Sequence, residues 1–207
     1  MEQATRGLNL ARQVGASRLK VYNLRALGML HRELEDYNGA WPFDHEAADL
    51  SRLAGGSWRP VVLSGLALDA AALGRLDDAR ALLSDARREI GQQETRVDFL
   101  QEVAYAAGRL HLAAGEPGAA LTEARELHRL AEEAGSEHWR GPGFLLEADA
   151  LMAEGDPPAA LRRYQDAVQE SERLGRLPLL WRALAGAVES QQGLGRSADA
   201  ASGISGT

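Results

Sequence analysis

The sequence predicts an all-α fold: a right-handed superhelical array of antiparallel helix pairs, with about 10–11 helices in all. Three features that repeat along the chain support this prediction. Short turns containing glycine recur at intervals of 41, 40 and 40 residues, and an alanine follows each glycine five residues later. Aromatic residues recur in the same register at Trp58, Phe99 and Trp139. Self-similarity at one fixed period is the signature of a repeat array. The turn glycines are Gly74, Gly115, Gly155 and Gly195, and the alanines are Ala79, Ala120, Ala160 and Ala200.

The helices of the second unit are bounded by residues that stop them. Residues 61–72 are apolar or small on nearly every side, which predicts a helix packed on both faces and ended by Gly74. The next helix is predicted over residues 76–90, with Gly91 as its C-terminal cap. Because the connections are short, consecutive helices must be antiparallel neighbours.

The third and fourth units contain the clearest helix boundaries. Pro117 and Pro157 occupy first helical positions, where a missing N–H costs nothing, and Asp156 can accept a hydrogen bond as an N-cap. Gly135 and Gly175 close the helices that follow. The alanine near the start of each second helix allows a close helix crossing, because its side chain is small.

Both ends of the chain depart from the regular pattern. Residues 2–14 are predicted to form a lone second helix, and residues 37–43 an irregular insert before a helix that begins near Asp44. Trp41 in this insert either folds back as a plug or is exposed to a partner. The last unit is predicted to contain a first helix that ends near Leu194 and a short second helix over residues 197–204.

The chain is therefore interpreted as one repeat domain over residues 1–207. Solenoids need polar caps on their terminal repeats, and the pattern shows none at either end. The chain is either a piece of a longer array, or has an edge covered by a second chain, or is a complete monomer, and the first two are favoured. The units span residues 1–16 (partial), 17–56 (degenerate), 57–96, 97–136, 137–176 and 177–207 (truncated).

Charge and hydropathy limit the classes of partner. Thirty acidic residues against 23 basic residues give a net charge of −7, which argues against nucleic acid. No stretch approaches 18 consecutive apolar residues and no secretory signal opens the chain, so we expect a cytoplasmic protein without a membrane span. Lys20 is the only lysine. The dominance of arginine reflects either oxyanion binding or the residue usage of a GC-rich bacterial genome.

Nothing in the sequence predicts catalysis, a cofactor or a metal centre. The chain has no Cys, and its five His residues form no metal-binding spacing. Ser64 lacks the first glycine of a nucleophile elbow, and no glycine-rich phosphate loop occurs. The Asp44-His45-Glu46 cluster is predicted to stabilise a helix start through the helix dipole. We therefore expect that the protein is not an enzyme.

The repeated pattern resembles the tetratricopeptide repeat, whose signature is W-x2-L-G-x2-Y followed by A-x3-F. The resemblance covers about residues 17–207, with units of about 40 residues rather than the usual 34 and without the closing proline. Long repeats of this kind are similar to those in large bacterial regulators. The matching segments are Leu24-x2-Leu27-Gly28-x2-His31; Leu63-x2-Leu66-Ala67-x2-Ala70 with Ala79-x3-Leu83; Ala104-x2-Ala107-Gly108-x2-His111 with Ala120-x3-Ala124; Phe144-x2-Glu147-Ala148-x2-Leu151 with Ala160-x3-Tyr164; and Leu184-x2-Ala187-Val188-x2-Gln191 with Ala200-x3-Ile204.

The resemblance implies that first helices line a concave face that binds peptides. In the family, the second, fifth, ninth and twelfth positions of each first helix contact the ligand. The acidic end of a peptide is expected near the arginines of the first unit, unless these arginines are only solvated. The peptide-binding residues implied here are Tyr22, Arg25, Met29, Arg32, Leu68, Tyr105, Arg109, Asp149 and Met152.

The resulting functional hypothesis is a non-catalytic scaffold that binds a protein or peptide, and neither nucleic acid nor a membrane. The alternative is a sensor or self-assembly domain of a larger bacterial signalling or transcription regulator, in which the uncapped terminal repeat forms a homodimer. An enzyme would instead need a deep pocket with converging titratable groups.

Overall fold

The protein is built from helices joined by short turns. The computed structural model describes residues 1–54, 58–90 and 97–204, with the side chains in these ranges except at positions 54 and 195–204. These ranges contain ten helices and no strand, which confirms the predicted all-α class and the predicted number of helices. The helices are α1 (Glu2–Gln13), α2 (Ser17–Glu33), α3 (Tyr37–Ala54), α4 (Arg59–Ala72), α5 (Leu76–Ile90), α6 (Val97–Ala113), α7 (Pro117–Ala134), α8 (Glu137–Glu154), α9 (Pro157–Arg173) and α10 (Leu177–Ile204).

The helices cluster in two compact units. Unit 1, Met1–Ala114, contains α1 to α6, and unit 2, Gly115–Thr207, contains α7 to α10. In unit 1 the most extensive contacts join α2 to α3 and α4 to α5, and in unit 2 they join α9 to α8 and to α10. This packing between sequence neighbours confirms the predicted pairs α2–α3, α4–α5 and α8–α9. The repeat boundaries within one domain stay a prediction.

The predicted turn glycines are confirmed where the structure describes a turn. Gly74, Gly115 and Gly155 have φ angles of 74°, 73° and 82°. This left-handed conformation is costly for residues with a Cβ, so glycine is the residue that ends these helices at least cost. The predicted cap at Gly91 lies outside the described residues.

The predicted proline and aspartate signals at helix starts are also confirmed. α7 begins at Pro117 and α9 begins at Pro157. The Asp156 carboxylate accepts a hydrogen bond from the backbone N–H of Ala159 at 3.0 Å, which satisfies one of the free donors at this helix end. Gly135 closes α7 in the left-handed conformation.

The prediction of an irregular insert over residues 37–43 is wrong, because this segment is the first part of α3. Pro42 lies inside the helix, where it leaves one carbonyl without its usual partner. Four buried residues of α3 recur at intervals of four, three and four residues, so they lie on one face of the helix. The burial of this face compensates for the hydrogen bond that Pro42 removes. Asp44 is therefore a buried residue within a helix and does not start one. The four residues of this face are Ala40, Asp44, Ala47 and Ser51.

Of the two alternatives for Trp41, the structure shows the first, in which the side chain folds back on the protein. Trp41 is partly buried and packs against the main apolar cluster of unit 1. The guanidinium carbon of Arg75 lies 4.1 Å from the centroid of its ring, within the range of a cation–π contact. Trp41 therefore fixes α3 to the turn between α4 and α5.

The short second helix predicted over residues 197–204 is also wrong. α10 continues without interruption from Leu177 to Ile204, so the turn predicted at Gly195 does not form. A glycine costs a helix interior only about 1 kcal/mol relative to alanine, which is too little by itself to end a helix.

Small side chains form most of the interior, as the composition requires. Ala79, Ala120 and Ala160 are 0 % exposed, in agreement with their predicted place at close helix crossings. Of the aromatic residues in the repeat register, Phe99 is buried, whereas Trp58 is 42 % exposed with its ring 6.0 Å from that of Phe99. No helix in the described part of the chain is long and apolar enough to cross a membrane.

Candidate protein-binding surfaces

Four of the implied ligand contacts lie along one side of α2, which we call the α2 face (Tyr22, Arg25, Met29 and Arg32). They follow one another at intervals of three, four and three residues, which places them on one side of a helix. Tyr22 is 60 % exposed and Met29 is 45 % exposed. The two apolar side chains are therefore accessible to a partner, whereas the two arginines are engaged within unit 1.

Arg32 belongs to an ion cluster in the interior of unit 1, the Arg32 cluster (Arg32, Asp44 and Asp69). Its guanidinium donates to Asp44 Oδ2 and, at 3.2 Å, to Asp69 Oδ1. Both aspartate side chains are 0 % exposed, and the cluster joins α2, α3 and α4. This geometry differs from the expectation that Arg32 faces a ligand, because the guanidinium is already bound by two carboxylates of its own chain.

The Arg32 cluster places two buried carboxylates around one cation. Burial raises the pKa of Asp69 to about 8, against the attraction of Arg32 and helped by the repulsion of Asp44. Burial also raises the pKa of Asp44, although Arg32 lowers it. Protonation of one of the two carboxyl groups makes the cluster neutral. Asp44 Oδ1 and Asp69 Oδ2 have no hydrogen-bond partner among the described groups, so either oxygen can carry this proton.

Two glycines provide the space that the Arg32 cluster occupies. A Cβ at Gly28 would lie 2.3 Å from Asp44 Oδ2, and a Cβ at Gly65 would lie 3.1 Å from an Arg32 nitrogen. The first distance is far below a normal contact, so a side chain at Gly28 would force the Asp44 carboxylate to move. Gly28 is therefore required at this position, because it leaves space for the Asp44 carboxylate.

Arg25, the other arginine of the α2 face, pairs with Glu102 of α6. The two side chains are 22 % and 24 % exposed. Burial raises the pKa of Glu102 to about 7, although Arg25 and Arg32 both lower it. The Arg25–Glu102 ion pair connects α2 to α6, and both of these helices also pack against α4. An acidic ligand would have to displace Glu102 before it could reach Arg25.

The remaining implied contacts of unit 1 are partly buried. They are Leu68 on α4 and both Tyr105 and Arg109 on α6. Leu68 packs against the main apolar cluster of this unit, so only part of its surface can contact a partner. The most exposed apolar surface that the family pattern implies in unit 1 is therefore that of Tyr22 and Met29.

The two implied contacts of unit 2, Asp149 and Met152, are engaged by neighbouring helices. The Tyr164 hydroxyl donates to Asp149 Oδ1 at 2.8 Å, and a guanidinium nitrogen of Arg182 lies 3.9 Å from Asp149 Oδ2. The Ser190 hydroxyl lies 3.1 Å from Met152 Sδ. Both residues therefore link α8 to α9 or α10, and they are partly buried.

One exposed apolar surface was not among the implied contacts, and we call it the α10 stripe (Leu177, Trp181, Leu184 and Val188). These side chains are 71 %, 75 %, 44 % and 51 % exposed, in the same order. Their intervals of four, three and four residues are those of one helix face, so helical periodicity in the sequence could have identified the stripe. The stripe was missed because the sequence predicted a short second helix over residues 197–204 that would pack against the first.

Comparison with known families supports the repeat interpretation. A model of the tetratricopeptide repeat matches residues 60–84 and residues 101–126. The first match contains most of α4 and the first part of α5, and the second contains most of α6 and the first part of α7. No curated protein matches the chain. Together with the observed helix pairs, the two matches are consistent with an array of tetratricopeptide-like repeats.

Proposed function

We propose that the chain is a non-catalytic scaffold that binds a protein or peptide through the α2 face. Tetratricopeptide repeats generally mediate interactions between proteins, and stacked helix pairs provide extended surfaces for this purpose. The observation that carries the proposal is the exposure of Tyr22 and Met29 on a helix whose other face is fixed in the interior. Apolar side chains that share one exposed face of a helix form a patch of the kind that marks interaction sites.

The chemistry of the α2 face favours an apolar or aromatic anchor in the partner. Arg25 and Arg32 are neutralised by Glu102, Asp44 and Asp69, so little positive charge remains for an acidic group. Aromatic and methionine side chains contribute strongly to binding because they bury large areas and adapt to a partner's shape. The ligand proposed for this face is therefore a peptide segment with at least one large apolar side chain.

Selection of displayed random peptides on the full chain tests this proposal. Selected peptides are then measured by calorimetry against wild type, against Tyr22→Ser/Met29→Ser, and against the control Leu34→Ser/Leu53→Ser. The control removes two side chains that are 67 % and 78 % exposed but lie outside the α2 face. Loss of binding in the first variant alone supports the proposal, and equal binding by all three proteins contradicts it.

Self-assembly through the α10 stripe is a second candidate function. The stripe follows a heptad pattern, with Leu177 and Leu184 in one core position and Trp181 and Val188 in the other. The flanking positions carry no charge, so two copies could pair along this seam without burying like charges. These flanking residues are Pro178, Leu180, Ala185 and Ala187.

Light scattering after gel filtration tests this second candidate. A mass of twice 22.3 kDa for wild type, with the monomer mass for Trp181→Glu, supports self-assembly. Leu53→Glu is the matched control, because it adds the same charge at another strongly exposed leucine. A monomeric wild type contradicts the candidate. The role in a bacterial regulator belongs to the same proposal and follows from the resemblance to long repeats, and the proposed cytoplasmic location follows from the hydropathy of the sequence.

A further inference from the structure

Unit 2 contains a groove of about 540 Å³ between α7, α8 and α9, which we call the arginine groove. Four arginines from three helices line it. Arg125 and Arg129 come from α7, Arg140 from α8 and Arg163 from α9. A volume of this size lies within the range of about 300–1,000 Å³ that is usual for ligand sites.

The floor of the arginine groove is fixed by contacts within unit 2. The rings of His128 and Phe144 lie 4.8 Å apart, and Arg163 lies 5.8 Å from the Phe144 centroid. Gly143 makes room for the imidazole, because a Cβ there would lie 2.8 Å from it. These contacts fix the positions of His128 and Phe144, which both line the groove.

The acidic side chains of the groove are mostly committed to fixed partners. Glu147 lies 3.2 Å from both His128 Nε2 and Arg163 Nε, and these contacts lower its pKa and keep it charged. Glu170 is held by Arg173 at 2.7 Å. Glu132 is the third carboxylate that lines the groove. Arg163 is paired with both Glu147 and Asp166, so it is also committed within unit 2.

Two of the four arginines are available to a ligand. Arg125 and Arg140 are exposed, and among the described side chains neither is paired with a carboxylate. In the described part of the chain, Arg129 pairs with Glu126 and Glu133 of its own helix, and such exposed pairs are weak enough to rearrange. Arg125 on α7 and Arg140 on α8 thus contribute two exposed guanidinium groups from two different helices to one groove.

We propose that the arginine groove binds an acidic segment of a partner protein, whose carboxylate or phosphate oxygens are held by Arg125 and Arg140. The guanidinium fork matches both oxyanions in a bidentate geometry. The net charge of −7 makes a polyanion as long as nucleic acid a poorer match than a short acidic segment. This surface and its charged ligand are separate from the apolar partner proposed for the α2 face, so either proposal can fail alone.

Fluorescence anisotropy with the full chain tests the inference. The probe is a labelled peptide of alternating Glu and Ala, with a phosphoserine counterpart, a neutral Gln counterpart and a labelled single-stranded oligonucleotide. The variant Arg125→Gln/Arg140→Gln is compared with Arg18→Gln/Arg52→Gln. The control removes the same charge from two exposed arginines of unit 1.

We expect the acidic peptide to bind wild type, and the groove variant to weaken binding by about tenfold or more. The control should change the affinity by less than about twofold, and the neutral peptide should not bind. Tighter binding of the phosphoserine peptide identifies phosphate as the preferred oxyanion, and equal or weaker binding identifies carboxylate. Four results would overturn the inference: no binding at about 1 mM, equal binding of the neutral peptide, equal losses in both variants, or tighter oligonucleotide binding that needs the same arginines.

Discussion

Each unit contains a pair of arginines, and the two pairs lie in opposite environments. In unit 1, Arg25 and Arg32 are bound by carboxylates of the same chain, and Arg32 is only 14 % exposed. In unit 2, Arg125 and Arg140 are exposed beside an open groove. One residue type therefore neutralises interior acids in one unit and remains available to a ligand in the other. Burial decides between these roles, because a buried cation cannot lose its partners without a large cost.

The largest effect is expected from Arg32→Met, which leaves Asp44 and Asp69 buried without their cation. Removal of one member of a buried ion cluster typically lowers the free energy of unfolding by about 3–5 kcal/mol. Urea titration at neutral pH measures this change. A loss below about 1 kcal/mol would show that the cluster is not buried as described, and would remove the contrast between the units.

The pH dependence of stability tests the same cluster. Asp69 has a pKa of about 8 in the folded protein, against an ordinary value of 3.8, so between these values the folded protein holds a proton that the unfolded chain has lost. The stability that this proton confers is complete below the unfolded value and is lost as the pH rises through the folded value. From about pH 5 to pH 8 we expect wild type to lose about 2–4 kcal/mol through Asp69.

The variant Asp69→Asn identifies the source of this slope, because its amide mimics the protonated acid. Urea titrations of the variant should show a much smaller decrease over the same range. Part of the slope remains, since Glu102, with a pKa of about 7, acts in the same direction. If the variant has the same slope as wild type, the proton is bound elsewhere.

A smaller loss is expected in unit 2, whose interior depends on small side chains. Ala160→Leu introduces three extra carbons at a position that is 0 % exposed, beside Tyr164 and Leu145. Overpacking of this kind costs about 1–3 kcal/mol. Thermal denaturation measures the effect, and Ala153→Leu, at an exposed position of α8, is the matched control. Equal melting temperatures for the two variants would contradict the close crossing at Ala160.

The smallest effect on stability is expected from Arg125→Gln/Arg140→Gln. Exposed side chains without fixed partners change the free energy of unfolding by no more than about 0.5 kcal/mol. Urea titration of this variant beside Arg32→Met gives the comparison between the units directly. A loss as large as that of Arg32→Met would mean that the groove arginines are structural.

Features set by neighbours in the sequence could be predicted well. The turns at Gly74, Gly115 and Gly155 and the cap at Asp156 depend on backbone conformation and local hydrogen bonds, and these were predicted at the correct residues. The tetratricopeptide pattern also placed Tyr22 and Met29 on one side of α2. The sequence was sufficient for these features because they depend on backbone conformation and on hydrogen bonds between residues close in the chain.

Features set by distant contacts could not be predicted in the same way. Pro42 suggested a loop, but the burial of Ala40 and Ala47 kept the segment helical. Gly195 suggested a turn, but α10 continues through it. The engagement of Arg32 depends on Asp44 and on Asp69, which lies 37 residues away on another helix. Such pairings require the positions of three helices, which periodicity alone does not supply.

The Arg32 cluster also limits how the protein can be divided. Its three ionisable groups lie on α2, α3 and α4, so a cut between any two of these helices would separate the cation from at least one buried acid. Any piece of unit 1 that keeps this cluster intact must therefore include residues 17–72. Attempts to exchange, shorten or graft single repeats of this chain would have to move these three helices as one module.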